Sequence, residues 1–91
     1  MNKNNNNFEL LRKISKKPNI SQRELSKQLG FSLGKLNYLL KELQKKGFIK
    51  IKNFKKNKKK INYLYMLTPQ GISLKTKLAI NFMKRVIKEY D

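Results

Sequence analysis

The chain has 91 residues, and 23 lysines and arginines against 5 acidic residues give it a formal net charge of +18. This length fits one small domain, and so strong a positive charge favours polyanionic partners such as nucleic acid or an anionic membrane surface. The absence of cysteine and histidine excludes disulfides, thiolate zinc sites and the Ser/His or Cys/His pairs of many hydrolases. We therefore expect no enzyme, no metal and no cofactor. No apolar run approaches the length needed to cross a membrane, so we also expect no membrane partner and a cytoplasmic location.

The N-terminal segment begins with a run of asparagines that is polar and of low complexity. This composition predicts a disordered leader over residues 1–7. From Phe8 onward the apolar residues recur at helical spacing, and the pattern stops before Pro18, which disfavours helix in the residue preceding it. We predict a first helix from about Asn7 to Lys17.

Two further helices are predicted next, joined by a short turn. The stretch SQRE at Ser21–Glu24 has the form of a capping box, in which the serine hydroxyl accepts from the Glu24 amide and the Glu24 side chain reaches back. Gly30 stands where a residue of positive φ ends this helix, and Ser32 can cap the next one, over 33–46. That helix carries a stripe of leucines at helical spacing: Leu36, Leu39, Leu40 and Leu43. The layout is that of a helix-turn-helix, whose second helix enters the major groove of DNA.

A hairpin follows the third helix. The stretches FIKI and INYLYML alternate or combine β-branched and aromatic residues in the manner of strands, with Tyr63 and Tyr65 on one face. We expect both tyrosines to pack on the leucine stripe. The lysine-rich stretch KIKNFKKNKKKINY covers the loop between the two strands and the strand ends next to it, so it is predicted to form the wing of a winged helix. The winged helix-turn-helix domain would span residues 8–68.

A long final helix is predicted over residues 69–91. Thr68 can cap it, and Pro69 occupies the first helical position, where a missing N–H costs nothing. Apolar residues recur along it at spacings of seven, four, three and four: Ile72, Ala79, Met83, Val86 and Tyr90. Leu78 and Phe82 extend this apolar surface to one side. The helix has more apolar surface than its own domain can cover, so these residues predict a dimer interface.

The predicted fold class is therefore mainly α with a small β-hairpin: a winged helix-turn-helix with a long C-terminal dimerisation helix. The side of the third helix that faces away from the leucine stripe is the candidate surface for reading DNA. Lysine can donate to guanine, asparagine can pair with adenine, and tyrosine can reach a phosphate or a thymine methyl group. These outward residues are Ser32, Leu33, Gly34, Lys35, Asn37, Tyr38 and Lys41. An ordinary solvated helix face is the alternative.

Two other groups are candidates for contact with the DNA backbone. Gln22 and Arg23 begin the second helix, where free amides and the helix dipole favour an anion. Capping alone explains their neighbours Ser21 and Glu24, so a purely structural role is the alternative here. In the hairpin, like charges repel one another and a partner's phosphates would relieve this repulsion, although lysine runs also occur as solvated loops. The hairpin candidates are Lys55, Lys56, Asn57, Lys58, Lys59 and Lys60.

The run ISQRELSKQLGFSLGKLNYLLKELQKKGFI, followed by NFKKNKKKINYLYMLTPQGI, resembles the winged-helix transcriptional regulators of the MarR superfamily. The resemblance is closest to the small EPS-associated subgroup, which is linked to exopolysaccharide loci, and it covers Leu10 to Tyr90. It implies a homodimeric regulator that binds double-stranded DNA in a sequence-specific way and associates with the nucleoid. Full-length MarR proteins have additional helices that form a ligand pocket, whereas this chain has one long helix, so the resemblance does not carry over a small-molecule effector.

Two other classes of function remain open from the sequence. A basic RNA-binding or ribosome-associated protein would bind structured RNA as well as duplex DNA and show no preference for palindromes. A winged helix that serves as a protein-interaction module would dock its terminal helix on a different protein and be a monomer by itself.

Overall fold

The computed structural model describes the backbone of residues 3–57 and 60–90 and the side chains of residues 6–53 and 63–89. Within these ranges the chain forms four helices and one antiparallel hairpin. The elements in chain order are α1 Lys3–Lys16, α2 Gln22–Leu29, α3 Leu33–Lys45, β1 Ile49–Asn57, β2 Lys60–Leu67 and α4 Pro69–Tyr90. The predicted fold class, mainly α with a small β-hairpin and a long C-terminal helix, is confirmed.

Helix α1 begins earlier than the asparagine run predicts. It starts at Lys3, so residues 3–7, which we expected to belong to a disordered leader, are helical; residues 1 and 2 lie outside the described chain. The Phe8 ring lies 6.0 Å from the Phe82 ring of α4, between centroids, and Asn6 is buried. Asparagine is a weak helix former. Packing against α4 therefore stabilises a first turn that local sequence alone disfavours.

The predicted caps of α2 and α3 are present. The Ser21 hydroxyl accepts a hydrogen bond from the Glu24 amide over 3.1 Å, and Gly30 ends α2 with a φ of 70°. The Ser32 hydroxyl likewise accepts from the Lys35 amide over 3.1 Å. The second half of the expected capping box differs. The Glu24 carboxylate accepts instead from the side-chain amide of Gln28, one turn later, over 3.1 Å.

The core draws on every element. The four leucines of the α3 stripe are buried as predicted, and they pack with Leu10, Leu11 and Ile14 of α1. Leu78 of α4 was expected to extend an exposed apolar surface, but it is only 7% exposed and belongs to the core. It faces the domain because α4 packs along α1.

The hairpin is held by a contact that the sequence did not predict. The two strands pair with Ile51 opposite Tyr65. The Tyr65 amide donates to the Pro18 carbonyl over 2.9 Å, so the segment between α1 and α2 lies along the outer edge of β2. Tyr65 is fully buried as expected, whereas Tyr63, nearer the hairpin loop, remains 38% exposed with its ring stacked 6.3 Å from that of Tyr65.

The start of α4 is fastened to the end of α3. The Thr68 amide donates to the Phe48 carbonyl over 3.0 Å, and the Thr68 hydroxyl donates to the Gly47 carbonyl over 2.6 Å. The same hydroxyl accepts from the Gly71 amide, so Thr68 caps α4 as predicted. Both ends of the hairpin are therefore fixed relative to α3.

Candidate nucleic-acid interface

The outer face of α3 is open. All seven residues predicted to face away from the core are exposed, including Leu33 at 50% and Tyr38 at 58%. The burial of four leucines on the opposite side decides this orientation, because residues at helical spacing share one face. Gly34 has no heavy atom within 4 Å of the position that a Cβ would occupy. The backbone of α3 can thus be approached closely there.

Two of the predicted contact residues meet each other. The Gln22 side-chain amide donates from Nε2 to Oδ1 of Asn37 over 3.3 Å, connecting the first turn of α2 with the outer face of α3. Gln22 is half-buried, whereas its neighbour Arg23 is exposed. Of the two residues predicted at this helix start, Arg23 is therefore the one whose side chain extends into solvent.

Lys35 is also held by a neighbour. Its ammonium nitrogen lies 4.3 Å from the centroid of the Phe31 ring, a cation–π arrangement worth about 0.5–1 kcal/mol at an exposed site. Phe31 itself is fixed by Ser26, whose carbonyl accepts from the Phe31 amide and whose hydroxyl donates to the Phe31 carbonyl. The lysine side chain is thus partly ordered before any partner binds.

The phenol of Tyr65 lies behind this surface. Its oxygen is buried and has no hydrogen-bond partner among the described residues. Burial raises the pKa of this phenol, the nearby Gln22 amide opposes the rise without forming a hydrogen bond of good geometry, and Tyr63 adds to it. The hydroxyl therefore remains protonated in the folded chain at neutral pH.

The hairpin carries its charge outward. Lys50 and Lys52 are exposed on β1 and alternate with Ile49 and Ile51, which face inward. These two lysines were not among the predicted DNA-contact residues, although the alternation of apolar and basic residues on β1 is visible in the sequence. The predicted wing residues Lys55, Lys56, Asn57, Lys58, Lys59 and Lys60 have side chains outside the described residues.

A family model described as winged helix-turn-helix DNA-binding matches residues 3–50, which is more than half of the chain. The chain belongs to this winged helix-turn-helix DNA-binding family. The matched segment contains Gln22, Arg23 and all seven predicted positions on α3, whereas the lysine cluster and α4 lie beyond it. A search of curated proteins found no match.

Solved structures of bacterial regulators resemble this winged helix-turn-helix. An E. coli MarR mutant complexed with operator DNA is 28% identical, with a TM-score of 0.66 over 79% of this chain and 50% of that one. Streptococcus pneumoniae FabT in complex with DNA is 23% identical, with a TM-score of 0.69 over 92% and 57%. The PcaV regulator of Streptomyces coelicolor is 15% identical, with a TM-score of 0.75 over 86% and 54%. The chain spans little more than half of these proteins, and the expected likeness to MarR regulators is confirmed at the level of the fold.

The winged helix-turn-helix carries an exposed apolar surface on α4. Ile72 and Met83, both predicted at a dimer interface, are 57% and 60% exposed, while Ala79 and Val86 are half-buried and the Tyr90 side chain lies outside the described residues. Ile80 and Ile87, which were not among the predicted interface residues, are also exposed and share this side of the helix. We refer to these residues as the α4 stripe: Ile72, Ala79, Ile80, Met83, Val86 and Ile87.

A cavity of about 310 Å³ lies between the start of α1, the end of α2 and the middle of α4. Asn6 lines it, and the Asn6 side-chain oxygen is buried without a partner among the described residues. The Phe31 ring that carries Lys35 lines it as well. The cavity therefore lies next to the aromatic ring that contacts Lys35.

The acidic residues that the structure describes are dispersed. Glu9 pairs with Arg12 and Glu42 with Lys46, each over 3.7 Å along its own helix. In the part of the chain that the structure describes, no three acidic side chains are grouped as a metal site would require, and no helix has the length and hydropathy needed to cross a bilayer.

Proposed function

We propose that this chain is a MarR-type transcriptional regulator that binds double-stranded DNA in a sequence-specific way as a homodimer. Helix α3 enters the major groove, and the lysine-rich hairpin contacts flanking phosphates or the minor groove. The resemblance of SLGKLNYLLK and YLYMLTPQG to the EPS-associated subgroup extends the proposal to exopolysaccharide genes as targets.

The observation that carries the proposal is the open outer face of α3 in a chain of this family. Lysine, asparagine and tyrosine on that face supply a donor, a paired donor and acceptor, and an aromatic edge, which are the groups that read base edges. A net charge of +18 supplies the phosphate attraction that accounts for most nonspecific affinity. The MarR and FabT structures similar to this one contain DNA.

The α4 stripe supports the homodimer. Residues 80–85 and 87–89 are all exposed, so the second half of α4 extends from the domain with apolar side chains in water. An exposed apolar patch of this kind marks an interaction surface. Pairing two copies through α4 would place two α3 helices on one side of a duplex, in successive major grooves about 34 Å apart. The operator should accordingly be an inverted repeat.

Selection of bound sequences from a random duplex pool tests this function. A symmetric motif, bound at least about 1,000-fold more tightly than unrelated duplex at physiological salt, is the expected result. The motif should recur upstream of exopolysaccharide genes if the proposed targets are correct. Equal binding of structured RNA with no symmetric motif would support the RNA-binding alternative and reject the proposal.

Salt dependence provides a second measurement. If about six phosphates are engaged per subunit, the logarithm of the binding constant should fall with the logarithm of the salt concentration with a slope of about −5 per subunit. A slope near zero would contradict the assignment of the basic surface to DNA.

A further inference from the structure

The hydrogen bond between Gln22 and Asn37 joins a residue of α2 to a residue that faces DNA in the proposed function. Gln22 Nε2 donates to Asn37 Oδ1 over 3.3 Å, across 15 residues of sequence. Gln22 is half-buried while Asn37 is exposed. The first turn of α2 thus contacts the outer face of α3 through one side chain.

This bond determines the orientation of the Asn37 side-chain amide, that is, the sides on which Oδ1 and Nδ2 lie. An asparagine side chain has an acceptor oxygen and a donor nitrogen of nearly equal size, and it can turn through 180° to exchange them. With Gln22 presenting Nε2, as in this structure, its donation occupies one lone pair of Oδ1 and holds the oxygen on the side of α2. The second lone pair of Oδ1 and both hydrogens of Nδ2 remain available to a partner.

The order of donor and acceptor matters for base recognition. In the major groove, adenine offers an N6 donor beside an N7 acceptor, and an asparagine must present oxygen and nitrogen in the matching order to bind both. A side chain that exchanges its ends freely loses part of this discrimination, because half of its orientations are mismatched. Fixing the order before binding therefore improves selectivity.

Gln22 is itself confined. Its half-buried side chain lies beside the Tyr65 hydroxyl, a buried group without a hydrogen-bond partner among the described residues. A rotation that carried the Gln22 side-chain amide away to a phosphate would break its hydrogen bond to Asn37. The exposed Arg23 next to it is better placed to contact the DNA backbone.

We propose that Gln22 is a positioning residue that fixes the donor and acceptor order of Asn37 and thereby sets the preference for adenine at one base position. This inference rests on the proposed function. It replaces the expected phosphate contact of Gln22 with a role in specificity.

The test compares base preference within each variant, using the motif selected by the wild-type protein and its single-base changes. Gln22→Met keeps the size of the side chain and removes its hydrogen bonds. Gln28→Met is the matched control, because Gln28 is on the same helix and its side-chain amide donates to Glu24 of that helix. Asn37→Ala identifies the base position that depends on Asn37, and Gln22→Met combined with Asn37→Ala completes the cycle.

We expect Gln22→Met to reduce the preference at the Asn37-dependent position by about twofold or more, leaving the other positions unchanged. Gln28→Met should retain the wild-type preference, and the double variant should match Asn37→Ala at that position. An equal loss of affinity for all duplexes with an unchanged motif would show a phosphate contact and overturn the inference. An unchanged preference would overturn it as well.

Different results would reject the proposed function and the positioning role of Gln22. Absence of any wild-type motif rejects both, whereas a wild-type motif that Gln22→Met leaves intact rejects the positioning role alone. Should Gln22→Met lower stability, Gln22→Glu serves instead, because a carboxylate has no hydrogen to donate and comparing bases within one variant cancels the effect of its charge. In the free protein, the side-chain amide resonances of Asn37 should shift in either Gln22 variant and stay unchanged in Gln28→Met.

Discussion

Gly71 lies against the backbone of Phe48 so closely that a Cβ on Gly71 would be 1.9 Å from the Phe48 carbonyl oxygen. That oxygen also accepts from the Thr68 amide, so it cannot move away without breaking the junction between β1 and α4. Gly71→Ala should therefore lower the free energy of unfolding by about 2 kcal/mol or more. Urea denaturation measures this effect.

Gly34→Ala is the matched control for this prediction. Gly34 is also a helical glycine, but open space surrounds the position of its Cβ. The substitution should raise stability by up to about 1 kcal/mol, because alanine has the higher helix propensity. Equal effects of the two substitutions would contradict the steric argument.

Substitutions of base-contacting residues and of phosphate-contacting residues should have different effects on DNA binding. Lys35→Ala and Asn37→Ala should change the base preference of the selected motif, because each removes a donor that faces the groove in the proposed function. Lys58→Ala should instead weaken binding to all duplexes alike and reduce the salt slope by about 1. Binding isotherms on the motif and on random duplex, at several salt concentrations, distinguish the two outcomes. Identical behaviour of all three variants would reject this division.

The α4 stripe should control the oligomeric state. Met83→Glu places a charge in the middle of the stripe, so the variant should sediment as a monomer at concentrations where the wild type is a dimer. Its affinity for an inverted repeat should fall by about 100-fold or more, since two linked sites reinforce each other. Asn81→Glu introduces the same charge on the exposed opposite side of the helix and should leave the dimer intact. A wild-type protein that is monomeric at tens of micromolar, or equal loss of the dimer in both variants, would reject pairing through this stripe.

Tyr65 should make stability fall at alkaline pH. Burial raises the pKa of its phenol above the ordinary value of about 10, so the unfolded chain ionises first as the pH rises. This contribution to stability is complete below about pH 10 and is lost as the pH rises through the folded-state pKa. Tyr65→Phe should therefore lose less stability than the wild type between about pH 9 and pH 11. Tyr38→Phe, which changes an exposed phenol, should follow the wild-type curve.

Signals within a few residues of one another determined most of the secondary structure. Ser21, Gly30 and Ser32 act on the ends of their own helices, and the spacing of the leucines in α3 identifies the buried face of that helix. The order of three helices, hairpin and long helix could therefore be predicted from the sequence, as could the outward face of α3.

Contacts between distant parts of the chain were decided by the tertiary structure. Helix α1 starts early where Phe8 packs on Phe82 of α4. The edge of β2 is covered because the Tyr65 amide donates to the Pro18 carbonyl. Leu78 is buried because α4 packs along α1. No local pattern encodes these pairs, because each requires knowing which elements are neighbours.

The same distinction applies to the candidate site. Its residue types and their side of α3 follow from helical spacing, which is a property of the sequence. The support of Asn37 by Gln22 appears only when the turn brings α2 against α3, whereas Phe31 supports Lys35 from four residues away. Spacing determines which side chains face outward, and the packing between helices determines which of them are held in one orientation.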